Sequence, residues 1–417
     1  MTEYFLSPQP EAADEDLDAR LDRVASAPGS QPFADSRVAF VAELSRRILT
    51  DRAFREHPEL MAMAHWFRQA NINTLGSDFL DGQEGDKVFA RRGVVFHIAP
   101  SNVDSVFIYS WLLSLLCGNA NIARVSRRRS AQMQAFFAVA ASLLQQEVFR
   151  PLRDANLVLS YDHDAGITER ISSHCHLRVV WGGDHTIAGI RAVPLPPLAA
   201  ELVFANRFSM AVLNSEAMLS LDAAAMAHLA QRFYNDAFWF NQQACSSPRV
   251  VIWTGTEAAS TTARSKFWPA LAEQVGLHRP ENLPAQVMDR ATTLFRVAHG
   301  HSDARAETQP GAMPSRIWIG RLNEVDRASH EGNGLFIETN IPDLASLNDL
   351  LSSRDQTIAH FGFDRNDWLA LLPSLPPHAA DRIVPVGNAL TFSPVWDGVN
   401  LLRSFTREIQ VTCSLTR

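Results

Sequence analysis

The middle of the chain shows short apolar runs separated by longer segments with helical spacing of apolar residues. The segment KVFARRGVVFHIAP, residues 87–100, is rich in β-branched and aromatic residues and ends at a proline, which predicts a strand. A helix follows, which Asp104 or Ser105 can cap and which ends at Gly118. The next predicted elements are the strand NIARVS, a helix over 131–146, the strand LVLSYD, a helix over 167–172 and the strand LRVVWGG. Strands that alternate with helices predict a parallel sheet with helices on both faces.

A second pattern of the same kind begins after the proline-rich turn AVPLPPLA. The predicted elements are the strand FSMAVLN, a helix over 221–240, a loop over 241–248, the strands PRVVIWTG, SRIWIG and GLFIETNI, and a helix over 344–351. We therefore expect a second α/β unit, with the boundary near residue 212. Residues 1–35 are rich in Pro, Ala, Asp and Glu, which predicts a loosely attached segment, followed by helices through Ala70.

Composition narrows the classes of function. With 417 residues, the chain is long enough for two globular units. A net charge of −7 argues against nucleic-acid binding, which usually requires a basic excess. The longest apolar stretch, 106–117, is interrupted by polar residues and is too short to span a bilayer. The acidic start lacks the features of a signal peptide, so the four cysteines are expected to be reduced thiols in a cytoplasmic protein.

Cys245 is the first candidate for chemistry. It lies in the polar loop NQQACSSP between a predicted helix and a predicted strand. A thiolate there would be accessible, and backbone N–H groups of the loop could stabilise an oxyanion. The alternative is a buried packing cysteine, which is the commoner role of a single cysteine.

Three further segments follow predicted strands at the edge of the sheet where α/β proteins bind ligands. Asn102 could donate to an oxyanion or cap a turn. The run from Arg124 to Arg129 could meet a phosphate or begin a solvated helix. Gly182 and Gly183 form a turn between a strand and a helix, where a phosphate can approach backbone N–H groups, although such turns are common.

The His174-Cys175-His176 triplet resembles a metal site at first sight. In a strand, both imidazoles would point to one face, but no third ligand lies nearby in the sequence. We therefore expect no metal.

Four stretches together resemble the LuxC family of acyl-CoA reductases, within the aldehyde dehydrogenase superfamily. They are GVVFHIAPSNVDSVFIYSWLLSLLCGNANIARVSRR, NQQACSSPRVVIW, SSRDQTIAHFG and RIVPVGNALTFSPVWDGVNLLRSFTREI. The second is the most specific, because it surrounds the nucleophile of that family. The resemblance implies an aldehyde dehydrogenase-like α/β fold, with a Rossmann-type nucleotide-binding domain, an α/β catalytic domain and a small element of oligomerisation strands.

The resemblance also implies the reaction and the roles of residues. Cys245 would attack the carbonyl of an acyl thioester, and hydride from a nicotinamide would reduce the acyl-enzyme to an aldehyde. Asn102 would join the Cys245 backbone N–H in an oxyanion hole. Further residues implied to contact the cofactor are Arg124, Ser126, Arg127, Gly182, Gly183 and Glu338.

Two departures from the superfamily pattern give the reaction a direction. Where oxidising members have a general-base glutamate, this chain has the segment ELVFANRFSM; if Arg207 matches the following lysine, Val203 replaces that glutamate and Glu201 is out of register. A weaker base disfavours hydrolysis and favours reduction. Arg127 stands where NAD-specific members often have a glutamate, and an arginine attracts a 2′-phosphate, so we expect NADPH in preference to NADH.

The expected function is therefore reduction of an acyl-CoA or acyl-protein thioester to the aldehyde by NADPH. The alternatives are an NAD(P)-dependent aldehyde dehydrogenase, a transferase that stops at the acyl-enzyme, and a catalytically silent acyl-binding subunit. Luminescence relatives act with an acyl-protein synthetase, and a homo-dimer or tetramer is implied. The expected domains are 1–77 with 98–212 for the nucleotide, 213–395 for the cysteine, and 78–97 with 396–417 for oligomerisation.

Overall fold

The computed structural model describes residues 2–7, 15–81, 86–100, 106–127, 130–162, 164–309 and 311–412. The chain divides into two compact units, each with its own sheet. Unit 1 comprises 1–205 and 392–417, and unit 2 comprises 206–391.

The strands of unit 1 are β1 (Glu3–Leu6), β2 (Lys87–Arg91), β3 (Val94–Ile98), β4 (Ala120–Arg124), β5 (Asn156–Ser160), β6 (Leu177–Trp181) and β7 (Ala200–Phe204), followed after unit 2 by β15 (Val395–Trp396), β16 (Val399–Asn400) and β17 (Thr406–Gln410). Its helices are α1 (Leu17–Ser26), α2 (Asp35–Thr50), α3 (Pro58–Trp66), α4 (Gln69–Asp81), α5 (Val106–Leu116), α6 (Ala131–Leu144), α7 (Arg150–Asp154), α8 (Ala165–His174), α9 (Asp184–Arg191) and α16 (Leu401–Ser404), with 3-10 turns at Arg52–Phe54 and Glu147–Phe149.

The main sheet of unit 1 has the order β1-β5-β4-β3-β6-β7. Its strands pair in parallel, except that β1 pairs antiparallel with β5. Along the chain, β4 and β5 are added successively on one side of β3, and β6 and β7 are then added on its other side. The direction of filling therefore reverses between β3 and β6, which is the topology expected of a nucleotide-binding unit.

The strands of unit 2 are β8 (Phe208–Asn214), β9 (Val250–Thr254), β10 (Arg305–Ala306), β11 (Ser315–Trp318), β12 (Leu335–Ile341), β13 (Asp355–Phe361) and β14 (Arg382–Pro385). Its helices are α10 (Ser215–Leu219), α11 (Ala223–Phe238), α12 (Glu257–His278), α13 (Pro284–Gly300), α14 (Glu324–Ser329) and α15 (Arg365–Leu371), with 3-10 turns at Ala345–Asp349 and Leu372–Ser374. Its sheet has the order β10-β11-β12-β9-β8-β13-β14, and only the pairing of β10 with β11 is antiparallel.

Side chains at the helix starts explain where several helices begin. Asp222 accepts a hydrogen bond from the Ala225 N–H at the start of α11, and Thr256 accepts one from Ala259 at the start of α12. Each satisfies a backbone donor that has no partner within its helix. The central strands β3, β5, β6 and β9 are buried along their whole length, as expected for parallel strands covered on both faces.

The predicted single strand over 87–100 is two strands, which is a correction with a local cause. Gly93 has φ +132°, and a Cβ there would lie 2.7 Å from the His176 ring. The Asn119 side chain accepts hydrogen bonds from the N–H groups of Arg92 and Gly93 across the break. As a result, β2 pairs with β17, whereas β3 enters the main sheet of unit 1.

Two domain assignments change for the same topological reason. β3 lies within the main sheet of unit 1, although its residues were expected among the oligomerisation strands. β8 pairs with β9 and β13, so the boundary falls at 205–206 rather than 212. In addition, the helix expected over 344–351 is a 3-10 turn.

The His174-Cys175-His176 triplet does not lie in a strand. His174 ends α8, and the Cys175 thiol donates to the Ser172 carbonyl over 3.2 Å. The His176 Nδ1 accepts from the Val94 N–H at 3.1 Å. Within the described part of the chain, no group of three or more His, Cys, Asp or Glu side chains is placed to hold a metal ion.

Candidate functional site

The loop that carries Cys245 joins α11 to β9 and is fixed by Gln242. Asn241 and Gln242 both have left-handed backbone conformations, with φ of 49° and 59°, which turns the chain sharply at the end of α11. The buried Gln242 amide donates to the carbonyls of Pro248 and Leu335 at 3.0 and 2.9 Å. Its side-chain oxygen accepts from the Gly334 N–H at 2.6 Å. These contacts tie both ends of the loop to the start of β12.

Cys245 is partly buried, and side chains from two neighbouring strands hold it. Ser209 of β8 donates its hydroxyl to the Cys245 carbonyl at 2.6 Å. The Thr357 N–H of β13 donates to that same hydroxyl at 3.2 Å. The Gln356 amide donates to the Cys245 Sγ at 3.4 Å. Both the backbone and the sulfur of Cys245 are therefore positioned by the sheet of unit 2.

Arg249 carries a positive charge that interacts electrostatically with the Cys245 thiol. Its guanidinium donates to the carbonyls of Gln242 and His330, which orients it within the loop. Desolvation lowers the pKa of Arg249, and the charges of Cys245 and Glu331 oppose that change. The coupling is mutual, so the guanidinium favours the thiolate form of Cys245.

The other described cysteines lie in environments that suppress reactivity. Cys117 is fully buried, and desolvation raises the pKa of its thiol far above the usual range. Desolvation likewise raises the pKa of Cys175 to about 12. Cys413 lies outside the described residues. Among the described cysteines, Cys245 alone combines partial exposure with a nearby cation.

In unit 1, the expected arginine cluster lies where β4 and β5 end. The Arg124 guanidinium stacks over the Tyr161 ring, 4.8 Å from its centroid. Arg127 forms an ion pair with Asp162 at 2.7 Å, and both side chains are largely exposed. Ser126 lies between the two arginines and is partly buried. The structure thus brings these three predicted residues together at one edge of the sheet.

Gly182 and Gly183 lie at the end of β6, beside the point where the order of the sheet reverses. Gly183 is the N-cap of α9, and the Gly182 N–H donates to the Phe204 carbonyl at 3.1 Å. The φ angle of Gly182 is not in the left-handed region, and a Cβ there would only touch Thr186 at 3.4 Å. Neither strain nor crowding requires glycine at position 182. The lack of a side chain there lets a ligand approach the N-terminus of α9.

Aromatic side chains that the sequence did not single out as a cluster line the same edge of unit 1. Trp181, the last residue of β6, stacks on Phe204 with ring centroids 3.9 Å apart. The hairpin of β15 and β16 carries Trp396, whose ring lies 5.9 Å from Trp181 and 5.5 Å from Tyr109. A largely buried aromatic cluster therefore adjoins the glycine turn.

Two of the predicted site residues need separate comment. Asn102 lies outside the described residues, in the connection between β3 and α5. Glu338 is fully buried in unit 2 and accepts hydrogen bonds from the indoles of Trp253 and Trp268. It also forms ion pairs with Arg264 and Arg316 at 2.8 and 3.1 Å. This corrects the expected contact with a nicotinamide ribose, because both carboxylate oxygens already serve the core.

The segment compared with the superfamily's general base begins in β7 and ends in β8. Glu201 forms ion pairs with Arg178 at 2.6 Å and Arg191 at 3.0 Å within unit 1. Val203 is partly buried beside the core of that unit. Arg207 belongs to unit 2, where it pairs with Asp381 at 2.7 Å.

Gln356, Ser209 and Arg249 are the site residues whose contacts sequence reasoning missed. The resemblance includes Gln356 and Thr357 in the family pattern and implies that they shape the site or the interdomain contact, but it assigns them no chemical role. The pairing of β13 with β8, which brings Gln356 to Cys245, joins positions more than 140 residues apart. Ser209 carried no signal beyond its place at the start of a strand.

A family model and a curated protein both match part of this chain. The family model described as acyl-CoA reductase (LuxC) matches residues 68–295. The long-chain acyl-protein thioester reductase of Aliivibrio fischeri is 28% identical over 166 residues, which are 39% of this chain and 32% of that protein. The match thus spans about a third of the curated relative's length.

Solved structures share the fold over nearly the whole chain. A putative aldehyde dehydrogenase from Burkholderia cenocepacia has a TM-score of 0.68 at 14% identity, covering 98% of this chain and 93% of its own. The glyceraldehyde-3-phosphate dehydrogenase GapN from Methanocaldococcus jannaschii, complexed with NADP, has a TM-score of 0.64 at 10% identity, covering 94% and 91%. The fold is therefore aldehyde dehydrogenase-like, as expected. Across the described residues, no helix combines the length and the apolar character needed to cross a bilayer.

Proposed function

Because this chain belongs to the LuxC family of acyl-CoA reductases, we propose that it reduces an acyl thioester to the aldehyde with Cys245 as the nucleophile. The observation that carries the proposal is the environment of Cys245. Its thiol is partly exposed, receives a hydrogen bond from Gln356 and interacts electrostatically with the Arg249 guanidinium. The acyl donor is an acyl-CoA or an acyl-protein, and the aldehyde is a fatty aldehyde.

The first half of the reaction transfers the acyl group to the enzyme. The Cys245 thiolate attacks the carbonyl carbon, a bond forms between that carbon and Sγ, and the carrier thiolate leaves and takes a proton from solvent. Asn102 and the Cys245 backbone N–H stabilise the oxyanion, by resemblance to the superfamily.

The second half returns the thiolate. When bound, NADPH supplies a hydride to the acyl carbon. The carbon–sulfur bond then breaks, so the aldehyde leaves and Cys245 regains its negative charge. Glu201 is paired with two arginines, and Val203 is apolar, so neither of them activates water against the acyl-enzyme.

The edge of unit 1 has the features that a dinucleotide requires. The sheet order reverses between β3 and β6, and the glycine turn leaves the N-terminus of α9 open to a pyrophosphate. Arg124, Ser126 and Arg127 lie at the neighbouring strand ends, where we place the adenosine ribose and its 2′-phosphate. NADPH is accordingly preferred to NADH, and GapN, which shares the fold, was solved with NADP.

Mass spectrometry tests the acyl transfer. The full chain is mixed with a fatty acyl-CoA in the absence of nucleotide, and the acylated peptide is located after digestion. We expect one acyl group on Cys245 and none in Cys245→Ala. Failure of the wild-type protein to become acylated would overturn the proposal.

A further inference from the structure

We propose that Gln356 is a catalytic residue whose amide N–H stabilises the Cys245 sulfur each time that sulfur carries negative charge. The inference rests on the proposed function for the identity of the reaction. The contact itself is a feature of unit 2 and involves a reacting atom directly.

The orientation of the Gln356 amide follows from its hydrogen bonds. Its Nε2 lies 3.4 Å from the Cys245 Sγ, within hydrogen-bonding distance for a sulfur acceptor. The Thr357 hydroxyl donates to its Oε1 at 3.3 Å. In this orientation the NH₂ group faces the sulfur, as a thiolate requires, because a thiolate accepts hydrogen bonds and donates none. The side chain is almost fully buried, so the donor is shielded from water.

An irregularity in β13 directs the side chain toward the cysteine. Asp355 pairs with Phe208, and Ile358 pairs with Met210, so three steps along β13 match two steps along β8. The additional residue of β13 is one of the two that lie between these pairs, Gln356 and Thr357. Such an irregularity changes the direction of a side chain and is often found next to active sites.

The same short segment also holds the cysteine backbone. The Thr357 N–H donates to Ser209, whose hydroxyl donates to the Cys245 carbonyl. One segment of β13 therefore fixes the cysteine at its carbonyl, through Ser209, and at its sulfur, through Gln356. This double attachment keeps the amide and the sulfur in register with each other.

The hydrogen bond is strongest where the reaction needs it. Sulfur is a weak acceptor as a thiol or a thioester and a strong one as a thiolate. The Gln356 donor therefore favours the thiolate that attacks the carrier thioester and the thiolate that leaves when the aldehyde is released. In the acyl-enzyme between these steps, the sulfur is neutral and the hydrogen bond is weak. The hydrogen bond therefore increases the fraction of Cys245 that is present as thiolate, and it assists the second step, in which negative charge returns to the sulfur as the carbon–sulfur bond breaks.

The pH dependence of thiol alkylation tests the inference without substrate or nucleotide. The full chain is treated with iodoacetamide at a series of pH values, and the rate at Cys245 is followed by peptide mass spectrometry. Gln356→Met keeps the length of the side chain but removes the donor. We expect the midpoint of the profile to rise by about one pH unit, a roughly tenfold loss of thiolate below the midpoint. Gln356→Glu should raise it further, because a carboxylate repels the thiolate.

Two more variants keep the result interpretable. Gln274→Met makes the same substitution on α12, away from the loop, and should leave the midpoint unchanged. Gln356→Asn retains the amide but shortens its reach, so it should raise the midpoint with a smaller change in packing. Circular dichroism identifies any variant that fails to fold.

An unchanged midpoint in a folded Gln356→Met or Gln356→Asn protein would overturn the inference. That result is distinct from failure of the proposed function, which would appear as absence of an acyl adduct in the wild-type protein. A shifted midpoint without acylation would retain the role of Gln356 toward the sulfur and reject the acyl substrate.

Discussion

At the scale of single residues, Cys245 depends on two side chains from neighbouring strands, Ser209 at its carbonyl and Gln356 at its sulfur. Cys245 could be singled out from its loop and from the family resemblance. Its partners could not, because Gln356 and Ser209 reach it through a strand pairing that no local pattern encodes. Glu338 shows the opposite error, since a short motif match suggested a ligand contact where burial gives a core carboxylate.

The first prediction concerns that buried carboxylate. Glu338→Gln removes the negative charge that Arg264 and Arg316 share in the core of unit 2. Breaking a buried ion pair by removing one partner typically costs about 3–5 kcal/mol, so the unfolding free energy should fall by about that amount. Urea denaturation measures it. Glu307→Gln, which affects a more exposed partner of Arg264, is the control and should cost about 1 kcal/mol or less. Equal losses in the two variants would refute the core role.

The second prediction concerns Arg127 and the nucleotide. Arg127→Glu replaces a charge that attracts a 2′-phosphate with one that repels it, while Asp162 loses its ion-pair partner. The ratio of kcat/KM for NADPH to that for NADH should fall about tenfold or more, which corresponds to about 1.4 kcal/mol. Asp162→Asn is the matched control and should keep the preference for NADPH. The assignment fails when Arg127→Glu retains the wild-type ratio.

At the scale of elements, the alternation of strands and helices was predictable over most of the chain. β6, β8, β9, β11 and β12 fall within predicted strands, and β4 and β5 each begin one residue before theirs. The break between β2 and β3 was not foreseen, because it depends on the close approach of His176 to Gly93. β13 was recognised only as a sequence segment, and its irregular pairing with β8 depends on tertiary structure.

The third prediction concerns the hydrogen bonds that join α11 to residues 387–389, near the end of unit 2. Asp236 on α11 accepts hydrogen bonds from the N–H groups of Gly387 and Ala389. Desolvation raises its pKa to about 7. The unfolded chain releases this proton near pH 4, so between about pH 4 and 7 the folded state holds more protons and stability falls as pH rises.

Asp236→Asn removes that titration. Relative to the variant, the wild-type protein should lose on the order of 2–4 kcal/mol of unfolding free energy between pH 5 and pH 8. Denaturant unfolding at several pH values measures the difference. Glu273→Gln, at an exposed position on α12, should run parallel to the wild type. Parallel profiles for Asp236→Asn would contradict the raised pKa.

At the scale of the whole molecule, the presence of two α/β units followed from length and pattern, and the aldehyde dehydrogenase-like fold followed from the resemblance. The boundary was displaced by one strand, because β8 has the same apolar character as the strands of either sheet. Strand order could not be obtained from the sequence, since parallel pairing leaves no local signature.

The fourth prediction concerns assembly. We propose that the sheet of β2 and β17 pairs subunits in a homo-dimer or tetramer, since Val88 is exposed on β2 and Val411 is exposed directly after β17. Light scattering should give a mass that is two or four times that of the chain. Val88→Glu combined with Val411→Glu should reduce the mass to that of a monomer. Leu277→Glu, at an exposed position on α12, is the control. A monomeric wild-type protein at micromolar concentration would exclude the proposal. An acyl-protein synthetase as a partner is implied only by the family resemblance.

We propose that the acyl group on Cys245 is reduced by hydride rather than hydrolysed by water. Single turnover of the isolated acyl-enzyme tests it most directly, with acid and aldehyde quantified separately by gas chromatography after addition of NADPH or buffer. We expect one equivalent of aldehyde with NADPH, the return of a thiol at Cys245, and slow release of acid in buffer. Release of acid at the same rate with and without NADPH would contradict it.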